Sequence, residues 1–433
     1  MRDVAGQTSA GAVNRPREVL RFPAFALFWS ATTIRAFGST IAGVAFQVLI
    51  VTVLNATPLE ISILSALGVV PYLFFGLIIG ALMDRWRRQQ ALVITSVGRV
   101  IVLGSIPVLL LTDALTFWSL AAVILMLGIL TLFADSAAQP FLPHIVPRSS
   151  LVMANARLGQ SETVAGTVGP ALGGALLNLL GAPILFAFEA VVNAVSAVLQ
   201  SRIKVQEAGP QRRAQGRHIG HDIVEGMRYT YRHRTLRPLA LSVHIWFLGN
   251  SIASTVFAVF VLRELALAPW AFGVTLAFGG IGGFLGALLA PRIGVKLGAG
   301  RAILLGRALV IVPWLVLAVM PIDASSGLGI LLPVISAAQF VYGLSMGIED
   351  ANDTGYRQAV APDAIQGRMN STIRTANRVV YFFGALLTGL LATLLGYQLT
   401  IGAAAIIFSV AALVVVFSPL RNARHEDAAA PAR

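Results

Sequence analysis

An internal repeat with a period of 215 residues constrains the fold of this chain more than any other feature. Asp350 follows Asp135 by that distance (350 − 135 = 215), and Asn370 follows Asn155 by the same number of positions (370 − 155 = 215). The same register relates Pro147 to Pro362, Gly169 to Gly384, Gly174 to Gly389 and Gly181 to Gly396. Since the chain has 433 residues, it is predicted to contain two copies of one structural unit.

The composition places both copies in a membrane. The sequence is 57% hydrophobic and 12% charged, whereas about 25% of residues are charged in a typical soluble domain. Apolar runs of about 20 residues follow one another closely, and each can cross a hydrocarbon core about 30 Å thick. We therefore predict an all-α membrane protein with twelve transmembrane helices in two pseudo-symmetric six-helix bundles. Parallel repeats of this kind are typical of transporters with a site between the halves.

Twelve apolar runs define the predicted domain organisation. The first six spans cover approximately 22–54, 59–82, 89–112, 116–140, 154–180 and 183–203. The second six cover approximately 237–262, 270–292, 301–321, 327–350, 369–395 and 398–418. The chain is thus divided into an N-terminal tail (1–21), a first bundle (22–203), a central linker (204–236), a second bundle (237–418) and a C-terminal tail (419–433).

The basic excess is explained by topology. There are 32 Lys and Arg against 19 Asp and Glu, and the arginines lie in alternate loops rather than on one face. Because cytoplasmic loops carry the excess of Lys and Arg, we expect both termini in the cytoplasm, a location in the plasma membrane, and no nucleic-acid partner. In the linker, Ile219, Ile223, Met227 and Tyr231 recur every four residues beside arginines. This spacing predicts an amphipathic helix, either at the membrane interface or against the cytoplasmic helix ends.

Two motifs resemble those of a known family. Residues 80–88 read GALMDRWRR between spans two and three, and residues 357–370 contain RQAVAP followed by GRMN. With the six-helix repeat and the central linker, they resemble the major facilitator superfamily, in particular its drug, macrolide-efflux and siderophore-exporter branch. The resemblance covers about residues 20–420. It implies the major facilitator fold and a secondary active transporter, working as a monomer without a cofactor, and it leaves the substrate open.

The loop at residues 80–88 is expected to act as a latch. Gly80 allows two helices to approach closely, and Asp84 can accept hydrogen bonds from arginines. Arg85 and Arg88 can meet anionic headgroups. The resemblance implies that this cluster stabilises an outward-open arrangement, while the simpler alternative is that the arginines only orient the protein in the membrane.

Span five contains a second motif, which consists of Gly169, Pro170, Gly173 and Gly174. Proline removes a helix hydrogen bond and glycines admit a close neighbour, so a bend and a tight seam are expected. The run resembles the antiporter motif that marks exporters within the superfamily, although glycine and proline are common in membrane helices generally. It favours export over import.

Ionisable side chains inside the predicted spans are candidates for proton coupling. Each costs roughly 2.5–3.5 kcal/mol at membrane depth and usually marks a pathway or a relay. Glu162 in span five is the first candidate proton carrier and Asp135 in span four the second; a position of Glu162 on the cytoplasmic rim is the alternative. Glu189 in span six is either a relay or a rim residue. Arg35 in span one is expected to tune whichever carboxylate it meets.

A second group of charges ends span ten and begins span eleven. Arg374 and Arg378 are four residues apart and therefore share a helix face. They are expected to face an acidic cluster in span ten and to form either a gate near the cytoplasmic side or a structural ion-pair network. The acidic cluster comprises Glu349, Asp350 and Asp353.

The substrate is expected to be amphipathic and of drug size. The aromatic candidates for lining its cavity are Trp29, Phe37, Trp246, Phe340 and Tyr342. Such rings suit an amphipathic ligand, although ordinary packing explains any one of them. Superfamily exporters often carry an acidic residue in span one, but this chain has Gly38 and Ser39 there, with Arg35 one turn earlier. This departure favours a substrate with anionic, carboxyl or catecholate groups.

Together these features predict a proton-coupled exporter of amphipathic small molecules, such as antibiotics or other secondary metabolites, that works by alternating access. A siderophore exporter is the alternative; an importer or a transporter-derived sensor is a further one. An enzyme is not expected, because the histidines are not clustered at membrane depth and no phosphate-binding glycine loop with a lysine follows a strand. No metal site is expected, and the absence of cysteine excludes thiolate ligands and disulfides.

Overall fold

The structure is a computed structural model that describes residues 19–83, 86–205, 219–321 and 328–424. Within these ranges every regular element is a helix. Twelve of the helices are long and apolar enough to cross a membrane, which confirms the predicted all-α class and the number of spans. Residues 1–18, 206–218 and 425–433, which belong to the predicted tails and linker, lie outside the described residues.

The twelve spans follow the predicted order. Those of the first half are Pro23–Val53, Pro58–Gly76, Arg88–Leu111, Phe117–Ile145, Arg148–Leu180 and Ala182–Ser201. Those of the second half are Leu236–Glu264, Pro269–Leu297, Ala299–Val319, Gly329–Val360, Ile365–Leu395 and Tyr397–Val416. Beyond span two the helix continues to Met83. Span ten extends well past the predicted end at 350, and the helix of span eleven already begins at Asp363. Both extensions are polar, so hydropathy alone did not include them.

The repeat is visible in the backbone. Gly181 and Gly396 have φ angles of 77° and 79°, and each separates the last two helices of its half. Glycine adopts positive φ without the steric penalty of a Cβ atom. The same neighbours also recur: spans 1–5, 1–6, 3–6, 3–4 and 2–4 pack together in the first half, and spans 7–11, 7–12, 9–12, 9–10 and 8–10 in the second. The predicted arrangement of two pseudo-symmetric six-helix bundles is therefore confirmed.

The buried core forks between the two halves. Because the number of spans is even, residues 19 and 424 lie on one face, which we call the terminal face, and we call the opposite side the far face. One large apolar cluster contains residues from both halves, from Ile41 to Ala411. Two further clusters are confined to one half each, around Phe141 in the first and Met369 in the second. The halves are thus joined toward the far face and separate toward the terminal face, and we call the space between them on the terminal-face side the fork.

Spans five and eight form a tight contact between the halves. A Cβ atom added to Gly273 would lie 2.5 Å from the Pro170 carbonyl oxygen and 2.9 Å from the Gly174 Cα. Only glycine permits this separation of the two helices. Spans two and eleven meet near Leu59 and Gly389.

An arginine reinforces the far face. The Arg263 guanidinium donates hydrogen bonds to the backbone carbonyls of Val51 at 2.7 Å and Ala56 at 3.1 Å. It thereby joins the end of span seven to the loop after span one. Arg263 thus links the two halves at the far face.

The linker contains the predicted amphipathic helix, Ile219–Arg232. It packs against the terminal-face end of span eleven, where Glu225 forms an ion pair with Arg368. The Tyr229 hydroxyl donates to the Val360 carbonyl at 3.2 Å. The helix thus contacts the terminal-face ends of spans ten and eleven.

Candidate functional site

A cavity of about 500 Å³ lies at the fork between the halves and is lined mainly by the first half. Its lining comes from spans one to six and from span eleven, always from the half of the span nearer the terminal face. The charged members of the lining are Arg35, Arg99, Asp135, Glu162, Arg374 and Arg378. Four guanidinium groups and two carboxylates at this depth make the cavity a polar site in an apolar protein.

The two candidate proton carriers both line this cavity. The Asp135 carboxylate accepts a hydrogen bond from the Tyr72 hydroxyl, with 2.9 Å between Oη and Oδ2. Glu162 lies on the neighbouring span five and is exposed. The two carboxylates are thus brought to one space by adjacent helices, where water can reach them.

Glu189 lies outside the cavity lining, in the first bundle. Its side chain is only 4% exposed, and its Cγ is 3.7 Å from the position of a Cβ at Gly38 in span one. Arg99 and Arg35 are close enough to interact with it electrostatically. This placement differs from a rim position, because Glu189 is buried behind arginines that line the cavity.

Arg99 is a cavity residue that the sequence reasoning missed. It is 7% exposed, its Nη2 donates to Thr131 Oγ1 at 2.6 Å, and its Nε has no hydrogen-bond partner among the described residues. The signal that could have identified it is a Gly-Arg pair in span three. Gly98-Arg99 recurs as Gly306-Arg307 in span nine, 208 positions later (307 − 99 = 208).

The charges of span ten pair differently from the expected gate. Glu349 forms an ion pair with Arg307 of span nine, at 2.8 Å, and the Arg307 side chain is fully buried. Asp353 pairs with Arg357 on its own helix at 3.0 Å, and Asp350 is exposed. Span ten therefore joins span nine through a buried ion pair.

Arg374 and Arg378 instead face the first half. Both line the cavity, and they are the only residues of its lining that the second half contributes within the described ranges. The Arg378 Cζ lies 3.7 Å from the centroid of the Tyr72 ring, which is a close cation–π contact. Through Tyr72, this arginine is connected to Asp135 across the boundary between the halves.

The two sequence motifs have distinct positions. Gly80 lies in the helix Val70–Met83, Asp84 and Arg85 lie outside the described residues, and Arg88 is hydrogen-bonded to His144 Nε2 at 3.1 Å. In the second motif, Gly169 and Gly173 pack against Thr40 and Ile41 of span one. Pro170 and Gly174 face Gly273 of span eight, so this motif contacts both a neighbour within its half and the other half.

The five aromatic candidates lie outside the cavity lining. Trp29 donates to Ser161 Oγ at 2.9 Å. Trp246 packs between Phe247 and Phe408, while the Tyr342 hydroxyl donates to Asn250 at 2.7 Å and its ring contacts Trp314. Phe37 and Phe340 are half-buried. Trp246 belongs to a buried core cluster, and Tyr342 and Trp29 pack against such clusters. Among the described residues, Phe28 and Tyr72 are the aromatic residues that line the cavity.

Comparisons with known proteins agree with this architecture. Residues 16–433 match the family described as "Transmembrane secretion effector". The chain is similar to the multidrug efflux pump Tap of Mycolicibacterium fortuitum, with 26% identity over 407 residues that cover 92% of this chain and 96% of that protein. An uncharacterized MFS-type transporter of Mycobacterium tuberculosis is 31% identical over 147 residues, 33% of each chain.

Solved structures show the same fold. A mutant of the nucleoside transporter NupG superposes with a TM-score of 0.72 at 12% identity, covering 91% of this chain and 99% of that one. A bacterial homologue of the iron transporter ferroportin, in an inward-facing state, gives 0.70 at 16% identity, covering 92% and 98%. The family and these relatives are transporters rather than enzymes.

Proposed function

The chain belongs to the major facilitator family of transmembrane secretion effectors, and on that premise we propose that it is a proton-coupled antiporter that exports amphipathic small molecules. Antibiotics and other secondary metabolites are the proposed substrates, and alternating access is the proposed mechanism. The observation that carries the proposal is the cavity in the fork, which combines carboxylates of the first half with arginines of both halves. Similarity to a multidrug efflux pump and the glycine-proline motif of span five support export.

The proposed orientation places the terminal face in the cytoplasm of the cell that makes the protein. The ends of the spans on this face and the loops between them carry Arg87, Arg148, Arg202 and Arg301, and the positive-inside rule favours a cytoplasmic position for them. The protein is proposed to act as a monomer in the plasma membrane with both termini inside. The cavity would then open to the cytoplasm, from which a substrate for export has to enter.

Glu162 is the proposed proton carrier, with Asp135 as the second. Both are open to the cavity, so protons and substrate can reach the same space. Occupancy by one is proposed to disfavour the other, which is the requirement for exchange in opposite directions. Glu189 with Arg35 and Arg99 is proposed to set the electrostatic field behind this site.

The remaining motif residues have proposed roles in switching. The loop with Gly80, Asp84, Arg85 and Arg88 is proposed to stabilise the outward-open arrangement, in which the far face is open. The Arg307–Glu349 and Arg357–Asp353 pairs are proposed to hold the second bundle rigid while it moves, since breaking a buried pair is strongly destabilising.

Susceptibility profiling tests the proposal. A strain that lacks the gene is compared with the same strain expressing the wild type, across antibiotics, dyes and iron chelators. We expect the wild type to raise resistance to a set of amphipathic compounds, and a protonophore to abolish their export.

The variant Glu162→Gln should remove this resistance while the protein remains in the membrane. Its matched control is Glu60→Gln, because Glu60 caps the far-face start of span two through Thr57 and lies away from the cavity. Undiminished export by Glu162→Gln would exclude Glu162 as the carrier. A wild type that protects against no compound would contradict the export function.

Siderophore export is the second candidate function, and the arginines favour it. Guanidinium groups bind carboxylate and other anionic oxygen ligands particularly well, and four of them line the cavity. The test is growth of the deletion strain under iron starvation, with measurement of iron chelator in the medium. A defect restricted to iron-poor medium would favour this candidate over the antibiotic exporter.

A further inference from the structure

We propose that Tyr72, Asp135 and Arg378 form a lock that keeps the empty, deprotonated transporter closed at its far face, and that a substrate releases the lock by binding Arg378. This inference rests on the proposed proton-coupled function and deepens it. It assigns a coupling role to Tyr72, and it gives Arg378 a partner in the first half.

The lock consists of three side chains from three spans. The Tyr72 hydroxyl of span two donates to Asp135 of span four at 2.9 Å, a contact within the first half. Arg378 of span eleven lies over the face of the Tyr72 ring at 3.7 Å, a contact between the halves. A carboxylate that can hold a proton is therefore connected, through one phenol, to the opposite half.

The position of the lock follows from helix geometry. Spans two and eleven meet at the far face, where Gly389 packs against Leu59. Tyr72 is 13 residues from Leu59 (72 − 59 = 13) and Arg378 is 11 from Gly389 (389 − 378 = 11). At a rise of about 1.5 Å per residue, both lie roughly 16–20 Å below that contact. The lock therefore sits where the seam between these spans ends and the cavity begins.

The charge of Asp135 controls the strength of the lock. An ionised carboxylate is a strong acceptor and polarises the phenol, so that the ring presents a more negative face to the Arg378 guanidinium. Protonation of Asp135 removes that acceptor charge and weakens the stack. The other charged groups of the cavity that share the field at Asp135 are Arg35, Arg99, Glu162 and Arg374.

A substrate can replace the ring as the partner of Arg378. A carbonyl, hydroxyl or carboxyl group that enters the cavity offers the guanidinium hydrogen-bond acceptors that the face of the Tyr72 ring does not. The lock is then intact only when the transporter holds neither a proton on Asp135 nor a substrate. An antiporter needs this property, because a transporter that crosses the membrane empty after releasing its proton lets protons leak inward.

The test is the proton leak of reconstituted protein without substrate. Wild type and variants are reconstituted into liposomes that contain a pH-sensitive dye, and a pH gradient and a potassium diffusion potential are imposed. Tyr72→Phe keeps the ring and removes the hydroxyl, Tyr72→Leu removes the ring, and Arg378→Gln removes the cation. The matched control is Tyr381→Phe, which removes a hydroxyl that contacts Ser254 within the second half.

We expect a slow proton leak for the wild type and for Tyr381→Phe. For Tyr72→Phe we expect a leak about tenfold faster than that of the wild type, a factor that corresponds to about 1.4 kcal/mol. Because the three groups act as one unit, Tyr72→Leu combined with Arg378→Gln should leak no faster than either single variant. A Tyr72→Phe variant as tight as the wild type, or additive effects in the double variant, would overturn the lock. The same liposomes also test the proposed function. A wild type that moves no protons even with an exported compound present would overturn both proposals. If the wild type couples protons to export but the Tyr72 and Arg378 variants leak no faster than it does, only the lock is overturned.

Discussion

A methyl group added to Gly273 should shift the transporter toward the arrangement with an open far face. A Cβ atom at this position would lie 2.5 Å from the Pro170 carbonyl oxygen, whereas ordinary contacts begin at 3.4 Å. Spans five and eight would therefore have to separate by about 0.9 Å (3.4 − 2.5 = 0.9) at their tightest point. The alternative arrangement, in which these spans part at the far face, does not incur this clash.

The size of the shift follows from the cost of overpacking. Extra methylene groups in a well-packed contact cost typically 1–3 kcal/mol. If Gly273→Ala raises the free energy of the present arrangement by that amount and leaves the other unchanged, the ratio of the two populations changes roughly 5- to 150-fold. The matched control is Gly283→Ala on the same span, where the nearest atom would be the Gly343 carbonyl oxygen at 3.7 Å, an ordinary contact.

Distance measurements between spin labels provide the assay. The chain has no cysteine, so pairs can be introduced directly. Leu111 and Leu399 are exposed far-face positions in opposite halves, and Val152 and Val295 are the equivalent pair on the terminal face. In Gly273→Ala we expect a longer distance for the far-face pair and a shorter one for the terminal-face pair. Unchanged distances, or an equal shift in Gly283→Ala, would refute the argument from the seam.

Three further predictions concern stability and the far face. Arg307→Met should lower the free energy of unfolding by about 3–5 kcal/mol, because it leaves Glu349 buried without its counter-ion. The double variant Arg307→Met with Glu349→Leu should regain most of this stability, as measured by thermal unfolding in detergent. Arg263→Gln should weaken closure of the far face by about 1.5–3 kcal/mol. The measurement is the labelling rate of a cysteine in place of Ser62, which is buried against Gly389 in the seam between spans two and eleven. We expect faster labelling in the variant, and an unchanged rate would contradict the prediction. Burial lowers the pKa of His233 below its ordinary value of 6.5, and its Nδ1 accepts from the backbone amides of Thr235 and Leu236 at 3.3 Å. A helix cap of this kind stabilises by about 1 kcal/mol, and this stabilisation is present above pH 6.5 and is lost as the pH falls through the lowered pKa. The melting temperature of His233→Gln should therefore fall less on acidification than that of the wild type. An equal fall in both would contradict the prediction.

The fold could be predicted from the sequence because its determinants are periodic and local. Apolar runs of spanning length require helices, and the 215-residue register of Gly181 with Gly396 indicates duplication before any contact is known. Helix ends on the terminal face were less predictable. The helix that begins at Asp363 starts six residues before the span predicted from 369 (369 − 363 = 6), because hydropathy does not indicate a polar first turn.

The cavity was only partly predictable. Asp135 and Glu162 were identifiable because a carboxylate inside an apolar run is expensive wherever it points. The partners of span ten were not, since Glu349 and Asp353 lie on a helix whose rotation is set by packing, and that rotation turns Glu349 toward Arg307. Tyr72 lies in an apolar run, where the sequence predicts that a tyrosine packs in the hydrophobic core. The role proposed for Tyr72 depends on two side chains that are 63 and 306 positions away (135 − 72 = 63; 378 − 72 = 306).

Coupled movement of protons and substrate in liposomes tests the central claim most directly. Purified protein is reconstituted, a compound from the susceptibility panel is added on the side of the terminal face, and its transport and the internal pH are followed together. With the wild type, each uptake of compound should be accompanied by proton movement in the opposite direction, and Glu162→Gln should show neither. Transport of the compound without proton movement, or proton movement in the same direction as the compound, would contradict exchange through this cavity.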